Sequence, residues 1–234
     1  MVATIKVLYE DNHVLCLAKP VNMPIMPDAS GDMDLLTMAK AWLKEKYGKP
    51  GNVYLGLVHR LDRPVGGAMV FAKTSKAASR LSDAVRKQLL EKTYLAIIEG
   101  SMKQKEGTLV DYLAKDEKTN TSHVVDENHG KKCILHYAVL GEKNGLSLVK
   151  IRLVTGRSHQ IRVQFASRGL PLLHDQRYNK NATKGQIALH ASVLSFPHPT
   201  TRQQIVVCDL PRHEGAWSLF ENKLYDTAKE TEHA

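Results

Sequence analysis

The sequence contains few cysteines, and their spacing matches neither a disulfide framework nor a metal site. Only Cys16, Cys133 and Cys208 occur among its 234 residues. An odd number of cysteines without a Cys-x-x-Cys pair argues against both a disulfide scaffold and a cysteine-based zinc site. Because all three lie in apolar stretches, we expect buried thiols.

Long apolar runs and the common cofactor motifs are missing as well. No run approaches the roughly 20 residues that cross a bilayer, and the first ten residues lack a secretion-signal pattern. We therefore expect a cytoplasmic protein with no membrane partner. The sequence has no GxxxxGK[ST], GxGxxG or GxSxG motif, so no nucleotide cofactor is expected. No histidine pair stands at i, i+4 spacing with a carboxylate, so no metal site is predicted.

Positive charge is the feature in excess. The chain has 33 Lys and Arg against 24 Asp and Glu, a formal net charge of +9. Such a balance biases the partner towards a polyanion such as nucleic acid. Since there are no repeats and no proline-rich linker, we expect one domain over residues 1–225. A polar tail, 226–234, is expected to lack fixed structure.

Hydrophobic periodicity predicts an α+β fold: a largely antiparallel mixed sheet with flanking helices and a central cleft. Short strands outnumber helices and do not alternate regularly with them, which argues against a doubly wound fold. The predicted strands lie at 6–9, 13–18, 67–73, 93–98, 135–140, 146–153, 188–196 and 203–209. The predicted helices lie at 34–47, from Thr74 or Ser75 to about Leu90, and from an N-cap at Ser158 to Arg168. Residues 115–132 are expected to form a loop or hairpin, and 171–186 a long loop.

The first chemically informative segment is His59–Arg63. It places Asp62 between Arg60 and Arg63. Nearby positive charge keeps a carboxylate ionised, which is what a carboxylate nucleophile or general base requires. The alternative is a solvated Asp–Arg cluster in a surface turn, which contributes little.

The second segment is Gly156–Arg162, which combines a glycine, a predicted serine cap and two arginines. A helix beginning here would offer backbone N–H groups to an anion, and the planar fork of Arg157 suits a carboxylate. The alternative is a basic surface helix. A third piece, Tyr94, either belongs to the core or stacks on a nucleobase.

In this order, the segments resemble the RluA-type family of RNA pseudouridine synthases from about Tyr9 to Asp209. The matching stretches are Tyr9–Asp11 with Leu17–Pro20, His59–Arg63, Lys92–Ala96 with Glu99-Gly100, Leu153–Arg162, and Leu189–Ala191 with His198-Pro199. The resemblance implies isomerisation of uridine to pseudouridine in structured RNA, rRNA or tRNA. It implies no metal or organic cofactor, since no atom is gained and no redox change occurs. We expect no DNA partner and a monomer.

The resemblance also assigns roles to residues of this chain. Asp62 would cleave the glycosidic bond, as a nucleophile or as a base at C2′. Arg157 would pair with Asp62 and orient it, while Tyr94 would stack on the target base. Arg60 would fill the gap left by the everted uridine, and Ile161 would wall the pocket. The other expected substrate contacts are His59, His159, Gln160 and Arg162.

Three departures from the family pattern bear on the site. Val65-Gly66-Gly67 stands where the family usually has Thr-Ser-Gly, so a hydroxyl pair is lost. His174-Asp175 stands where Gly-Asp is usual, with Tyr178 following. No S4-like RNA-binding segment precedes Tyr9.

Other functions remain open from the residues alone. They are a non-catalytic RNA-binding module using the same basic cleft, a hydrolase or lyase acting on a phosphorylated small molecule, and a basic structural protein. Which RNA and which uridine are modified is also open.

Overall fold

The computed structural model describes residues 5–232. The strands are β1 (Lys6–Glu10), β2 (Val14–Lys19), β3 (Gly56–Leu57), β4 (Gly66–Ala72), β5 (Glu91–Glu99), β6 (Glu106–Asp116), β7 (Thr121–Val125), β8 (Lys131–Lys143), β9 (Leu146–Leu153), β10 (Leu189–Pro197) and β11 (Gln204–Cys208). The α-helices are α1 (Leu35–Lys46), α2 (Ser75–Arg86), α3 (Gln160–Ala166) and α4 (Glu221–Glu232), and a 3-10 turn covers Gly215–Phe220. These elements form two compact units. Unit 1 contains residues 5–90 and 191–210, and unit 2 contains residues 91–190 and 211–232.

Unit 1 is built on strands in the order β1, β2, β4, β10, with β3 pairing β4 and β11 pairing β10. The β1–β2, β2–β4, β3–β4 and β10–β11 pairs are antiparallel. Helix α2 begins where predicted because the Thr74 hydroxyl accepts the Ala77 N–H at 3.1 Å. Its Ala77, Leu81 and Ala84 are buried at helical spacing, and Ala77 and Leu81 join the core residues of the unit. That core also contains Val14, Cys16, Ala68, Val70, Ala72, Leu90, Leu194, Phe196 and Val207.

Unit 2 has the strand order β5, β9, β8, β6, β7, and each neighbouring pair is antiparallel. Period-two alternation along β8 buries Cys133, Leu135 and Tyr137 while the residues between them are half-buried. Helix α3 contributes Phe165, whose ring meets the Tyr137 ring edge-on at 6.2 Å. The core of this unit therefore lies between one face of the sheet and α3.

The structure confirms the α+β class and the largely antiparallel pairing, whereas the central cleft stays a prediction. The strand and helix predictions are confirmed for β1, β2, β4, β5, β8 to β11, α1 and α2, with small shifts at their ends. None of the helices within residues 5–232 is long and apolar enough to cross a bilayer.

Helix α3 and the C-terminal segment differ from the predictions. Ser158 does not cap α3, which starts at Gln160 after a left-handed His159 with φ 54°. The Gln160 side chain accepts the Arg157 N–H at 3.1 Å, so that N–H group is engaged within the protein, and the anion site expected at this helix start stays a prediction. The prediction of a tail without structure from residue 226 is wrong up to Glu232, since α4 continues there and buries Leu224 and Thr227. Residues 233 and 234 lie outside the described residues.

Candidate active site

Asp62 lies in a tight turn immediately before β4 in unit 1. Its backbone carbonyl accepts the Val65 N–H at 3.0 Å, which closes the turn Asp62–Val65. The side chain of Asp62 is half-buried, and the neighbouring Arg60 and Arg63 are exposed. The sequence therefore places a partly shielded carboxylate between two solvent-facing cations.

The replacement of the family's Thr-Ser by Val65-Gly66 leaves this turn intact. A backbone hydrogen bond closes it, and the Val65 side chain is buried. The following Gly67 has φ +123°, and a Cβ there would lie 2.2 Å from the Ala191 carbonyl oxygen. Only glycine fits at position 67. The departure from the family pattern affects residues 65 and 66 and leaves this required glycine in place.

A buried lysine, Lys19, donates a hydrogen bond to the turn that contains Asp62. Lys19 is 2% exposed, and its Nζ donates to the Arg63 carbonyl and to the Pro20 carbonyl, each at 2.9 Å. Burial lowers the pKa of Lys19 to about 7, the negative charge of Asp62 opposes that shift, and Arg63 adds to it. Lys19 and Asp62 are thus electrostatically coupled. The sequence motif Leu17–Pro20 contains Lys19 but assigns no role to it.

His59 has a structural partner rather than an exposed ring. It is 8% exposed, and its Nε2 accepts the Val70 N–H of β4 at 3.1 Å. This bond ties the segment preceding Asp62 to the strand that follows it. The geometry favours a supporting role for His59 over the substrate contact expected from the sequence, whereas exposed Arg60 remains suited to such a contact.

In unit 2, Tyr94 and Arg157 have different environments. Tyr94 is 6% exposed on β5, opposite the buried Ile151 of β9. Arg157 is exposed, and its Nε donates to the Lys132 carbonyl at 3.2 Å. A Cβ at Gly156 would lie 3.2 Å from the Nζ of Lys92, an amine whose pKa is lowered by burial. The Arg157 side chain is therefore exposed and bound to the Lys132 carbonyl, and the half-buried Lys92 amine lies beside the preceding Gly156.

Gln160 fixes the backbone beside Arg157. Its Oε1 accepts the Thr155 hydroxyl at 2.8 Å and the Arg157 N–H at 3.1 Å. Its Nε2 donates to the Ile134 carbonyl and to Gln164 Oε1, both at 3.1 Å. These four bonds use both amide protons and both oxygen lone pairs. With 3% exposure, Gln160 fits a positioning role for Arg157 better than the predicted contact with substrate.

Arg162 is buried in an ion pair that the sequence analysis did not foresee. Its Nε and Nη2 donate to the two carboxylate oxygens of Asp175 at 2.8 and 2.6 Å, and the side chains are 6% and 0% exposed. The Arg162 guanidinium also lies 5.1 Å from the Tyr178 ring centroid. Arg162 therefore organises the 171–186 loop, and this geometry disfavours the phosphate contact expected from its charge.

The second family departure explains how this loop is shaped. His174 has φ +59°, a left-handed conformation that glycine adopts more readily. Tyr178 and His159 then meet, with the Tyr178 hydroxyl 2.7 Å from His159 Nδ1. His159, whose ring meets the Tyr178 ring edge-on, is 9% exposed and Ile161 is 4% exposed, so both side chains are buried. The family pattern Gly-Asp aligns with His174-Asp175 of this chain. Its aspartate was the sequence feature that could have identified Asp175.

The predicted site residues fall in both units. His59, Arg60 and Asp62 belong to unit 1, while Tyr94, Arg157 and the residues of α3 belong to unit 2. The pairing of Asp62 with Arg157 stays a prediction. Within residues 5–232, no three His, Cys, Asp or Glu side chains are grouped so as to hold a metal ion.

Comparisons with known proteins identify the family of the chain. A model of the RNA pseudouridylate synthase family matches residues 13–167. An uncharacterized RNA pseudouridine synthase of Bacillus subtilis (strain 168), YhcT, is 36% identical over 208 residues, which are 88% of this chain and 68% of that protein. The ribosomal large subunit pseudouridine synthase D of Zymomonas mobilis is 30% identical over 215 residues, 86% of this chain and 67% of that protein.

Solved structures show the same fold. Human RNA pseudouridylate synthase domain containing 4 superimposes with a TM-score of 0.76 at 20% identity, covering 94% of this chain and 93% of that chain. Human RNA pseudouridylate synthase domain containing 1 gives a TM-score of 0.71 and covers 95% of this chain and 96% of that chain. The chain belongs to the RNA pseudouridylate synthase family and is an isomerase that converts uridine to pseudouridine in RNA.

Proposed function

We propose that the protein isomerises particular uridines in structured RNA, rRNA or tRNA, in the cytoplasm, with Asp62 as the catalytic carboxylate. The observation that carries the proposal is the turn Asp62–Val65, which fixes a half-buried carboxylate between exposed Arg60 and Arg63 in front of β4. Some relatives are named for the large ribosomal subunit, which makes rRNA the first substrate to test and tRNA the second.

The reaction breaks the N1–C1′ bond of uridine and joins C1′ to C5 of the same ring. The proton at C5 is released and N1 takes up a proton, so no atom is gained or lost overall. In this scheme Asp62 initiates bond cleavage, as a nucleophile or as a base at C2′. Arg157 pairs with that carboxylate and orients it through its fork of N–H donors. Tyr94 stacks on the base, and Arg60 occupies the gap in the RNA. The exposed cations neutralise phosphates, so RNA affinity should fall with added salt.

Tritium release from RNA labelled at uridine C5 tests the proposal, because joining C1′ to C5 expels the hydrogen at that position, whereas binding alone does not. Wild-type protein should release tritium in proportion to pseudouridine formed. Asp62→Asn keeps the shape of the side chain and should lower the rate by about 10²- to 10⁴-fold, with little change in RNA affinity. Full turnover by Asp62→Asn would remove Asp62 from the chemistry.

The same assay separates the rival functions. A non-catalytic RNA-binding module would bind RNA and release no tritium. An enzyme acting on a phosphorylated small molecule would turn over without RNA and would respond weakly to salt.

A further inference from the structure

Arg63, the residue after Asp62, is engaged by an acidic loop. Its Nη1 donates to the Ser30 hydroxyl at 2.9 Å and lies 3.5 Å from a carboxylate oxygen of Asp28. Its Nη2 donates to a carboxylate oxygen of Asp32. The exposed cation nearest Asp62 in sequence is therefore paired within the protein.

This acidic loop, residues 26–33, has a fixed base and an exposed tip. The Leu35 and Leu36 N–H groups donate to the carbonyls of Pro24 and Ile25 at 2.9 and 3.0 Å, and Ile25 is 6% exposed. Every residue from 26 to 33 is exposed. The loop is thus anchored to the fold at its two ends, and Arg63 contacts its tip.

The tip is ordered so that its two carboxylates face the same guanidinium. Asp28 Oδ1 accepts the Ser30 N–H at 2.9 Å, and the Ser30 hydroxyl accepts the Asp32 N–H at 3.2 Å. Gly31, with φ +70°, allows the reversal between them. The tip consequently offers a guanidinium several oxygens at once, as a phosphate group does.

Both ion pairs are weak enough to exchange. The side chains of Arg63, Asp28 and Asp32 are 42%, 44% and 55% exposed, and exposed ion pairs contribute little to stability. A phosphate can bind the same fork bidentately with a comparable or larger gain. Whether Arg63 pairs with the acidic loop or with a phosphate should therefore depend on the presence of RNA.

We propose that Asp28 and Asp32 form a latch on Arg63, and that an RNA phosphate beside the target uridine displaces them and is then bound by Arg63. The inference rests on the proposed function and adds to it a phosphate-binding residue and a loop that competes for that residue. In the free protein the latch neutralises a cation beside Asp62. RNA that cannot place a phosphate at Arg63 leaves the latch closed.

The test compares RNA affinity and turnover on the full chain. The double variant Asp28→Asn/Asp32→Asn should lower Kd and KM for RNA by about three- to tenfold and leave kcat unchanged. The control is Asp83→Asn/Glu45→Gln, which changes net charge equally on the surface of the same unit. There Asp83 pairs with Arg86 and Lys87 on α2, and Glu45 is exposed on α1.

A second background isolates the role of Arg63. Arg63→Gln should weaken RNA binding, and in that background the double variant and its control should alter Kd by the same factor. The latch is refuted if the double variant and its control agree in the wild-type background, or if their difference persists without Arg63.

These outcomes are separable from the proposed function. If wild-type protein binds RNA but releases no tritium, the proposed function fails and the Kd comparison still decides the latch. If turnover is normal and the double variant follows its control, only the latch fails. Absence of RNA binding by the wild type would overturn both.

Discussion

Arg63 and Arg162 come from two motifs of similar appearance and have opposite surroundings. The Arg63 side chain is 42% exposed and paired with carboxylates that are themselves exposed. The Arg162 side chain is 6% exposed and pairs with a fully buried Asp175. Arginine in a cationic motif thus has two kinds of surroundings here: the Arg63 guanidinium is exposed and weakly paired, while the Arg162 guanidinium is buried in an ion pair with a loop residue.

The largest effect that the comparison predicts is on stability. Arg162→Met leaves the Asp175 carboxylate buried without its counter-charge, which should lower the free energy of unfolding by about 3–5 kcal/mol. Arg86→Met removes a 76%-exposed arginine paired with Asp83 and should change the free energy of unfolding much less, because exposed ion pairs contribute little. Urea denaturation of the two variants beside wild type gives both values. Equal losses would show that burial does not distinguish the two kinds of arginine.

We expect Arg157, which is exposed, to behave like Arg63 and unlike the buried Arg162. Arg157→Lys keeps the charge but loses the planar fork, so turnover should fall by about ten- to a hundredfold. Affinity for RNA should change little, since the phosphate term depends on charge. Arg152→Lys is the control, because Arg152 is another exposed arginine of unit 2, on β9. Matching turnover for the two variants would exclude Arg157 from the chemistry.

The last prediction concerns the buried cation of unit 1, whose expected effect is a change of stability with pH. The pKa of Lys19 is about 7 in the folded chain and about 10.4 in an unfolded chain. Between these values the unfolded state binds more protons, so this lysine makes the free energy of unfolding increase as pH rises from 7 towards 10. Lys19→Met removes that contribution, and the advantage of wild type over Lys19→Met should therefore grow across this interval.

Denaturant titrations at several pH values measure that slope. Lys76→Met, which removes an exposed lysine from α2, is the charge control. Parallel pH profiles for wild type and Lys19→Met would contradict the assigned burial of the Lys19 amine.

Local signals in the sequence predicted most of the elements. Thr74 marks the start of α2 because a cap needs only the next three residues, and alternation identifies β8 because its two faces differ in burial. The fate of Arg162 could not be predicted in this way. Its partner lies 13 residues further on, in a loop whose path depends on a left-handed His174. Charge alone therefore placed Arg162 among the substrate contacts.

Lys19 and Gln160 show the same limitation. The Lys19 amine is bound by the carbonyl of Arg63, 44 residues away, and Gln160 is saturated by groups on β8 and on the segment before α3. Such roles depend on the tertiary path. The catalytic role of Asp62 came from the family resemblance, since the residues themselves left a simple surface turn open.

The most direct test of Asp62-dependent pseudouridine formation is to map pseudouridines at nucleotide resolution in total RNA. The cells compared express the wild-type protein, the Asp62→Asn variant, or neither. We expect one or a few uridines in rRNA or tRNA to be modified in cells with the wild-type protein and unmodified in cells with Asp62→Asn or without the protein. Modification of the same uridines with Asp62→Asn, or identical maps with and without the protein, would contradict this expectation.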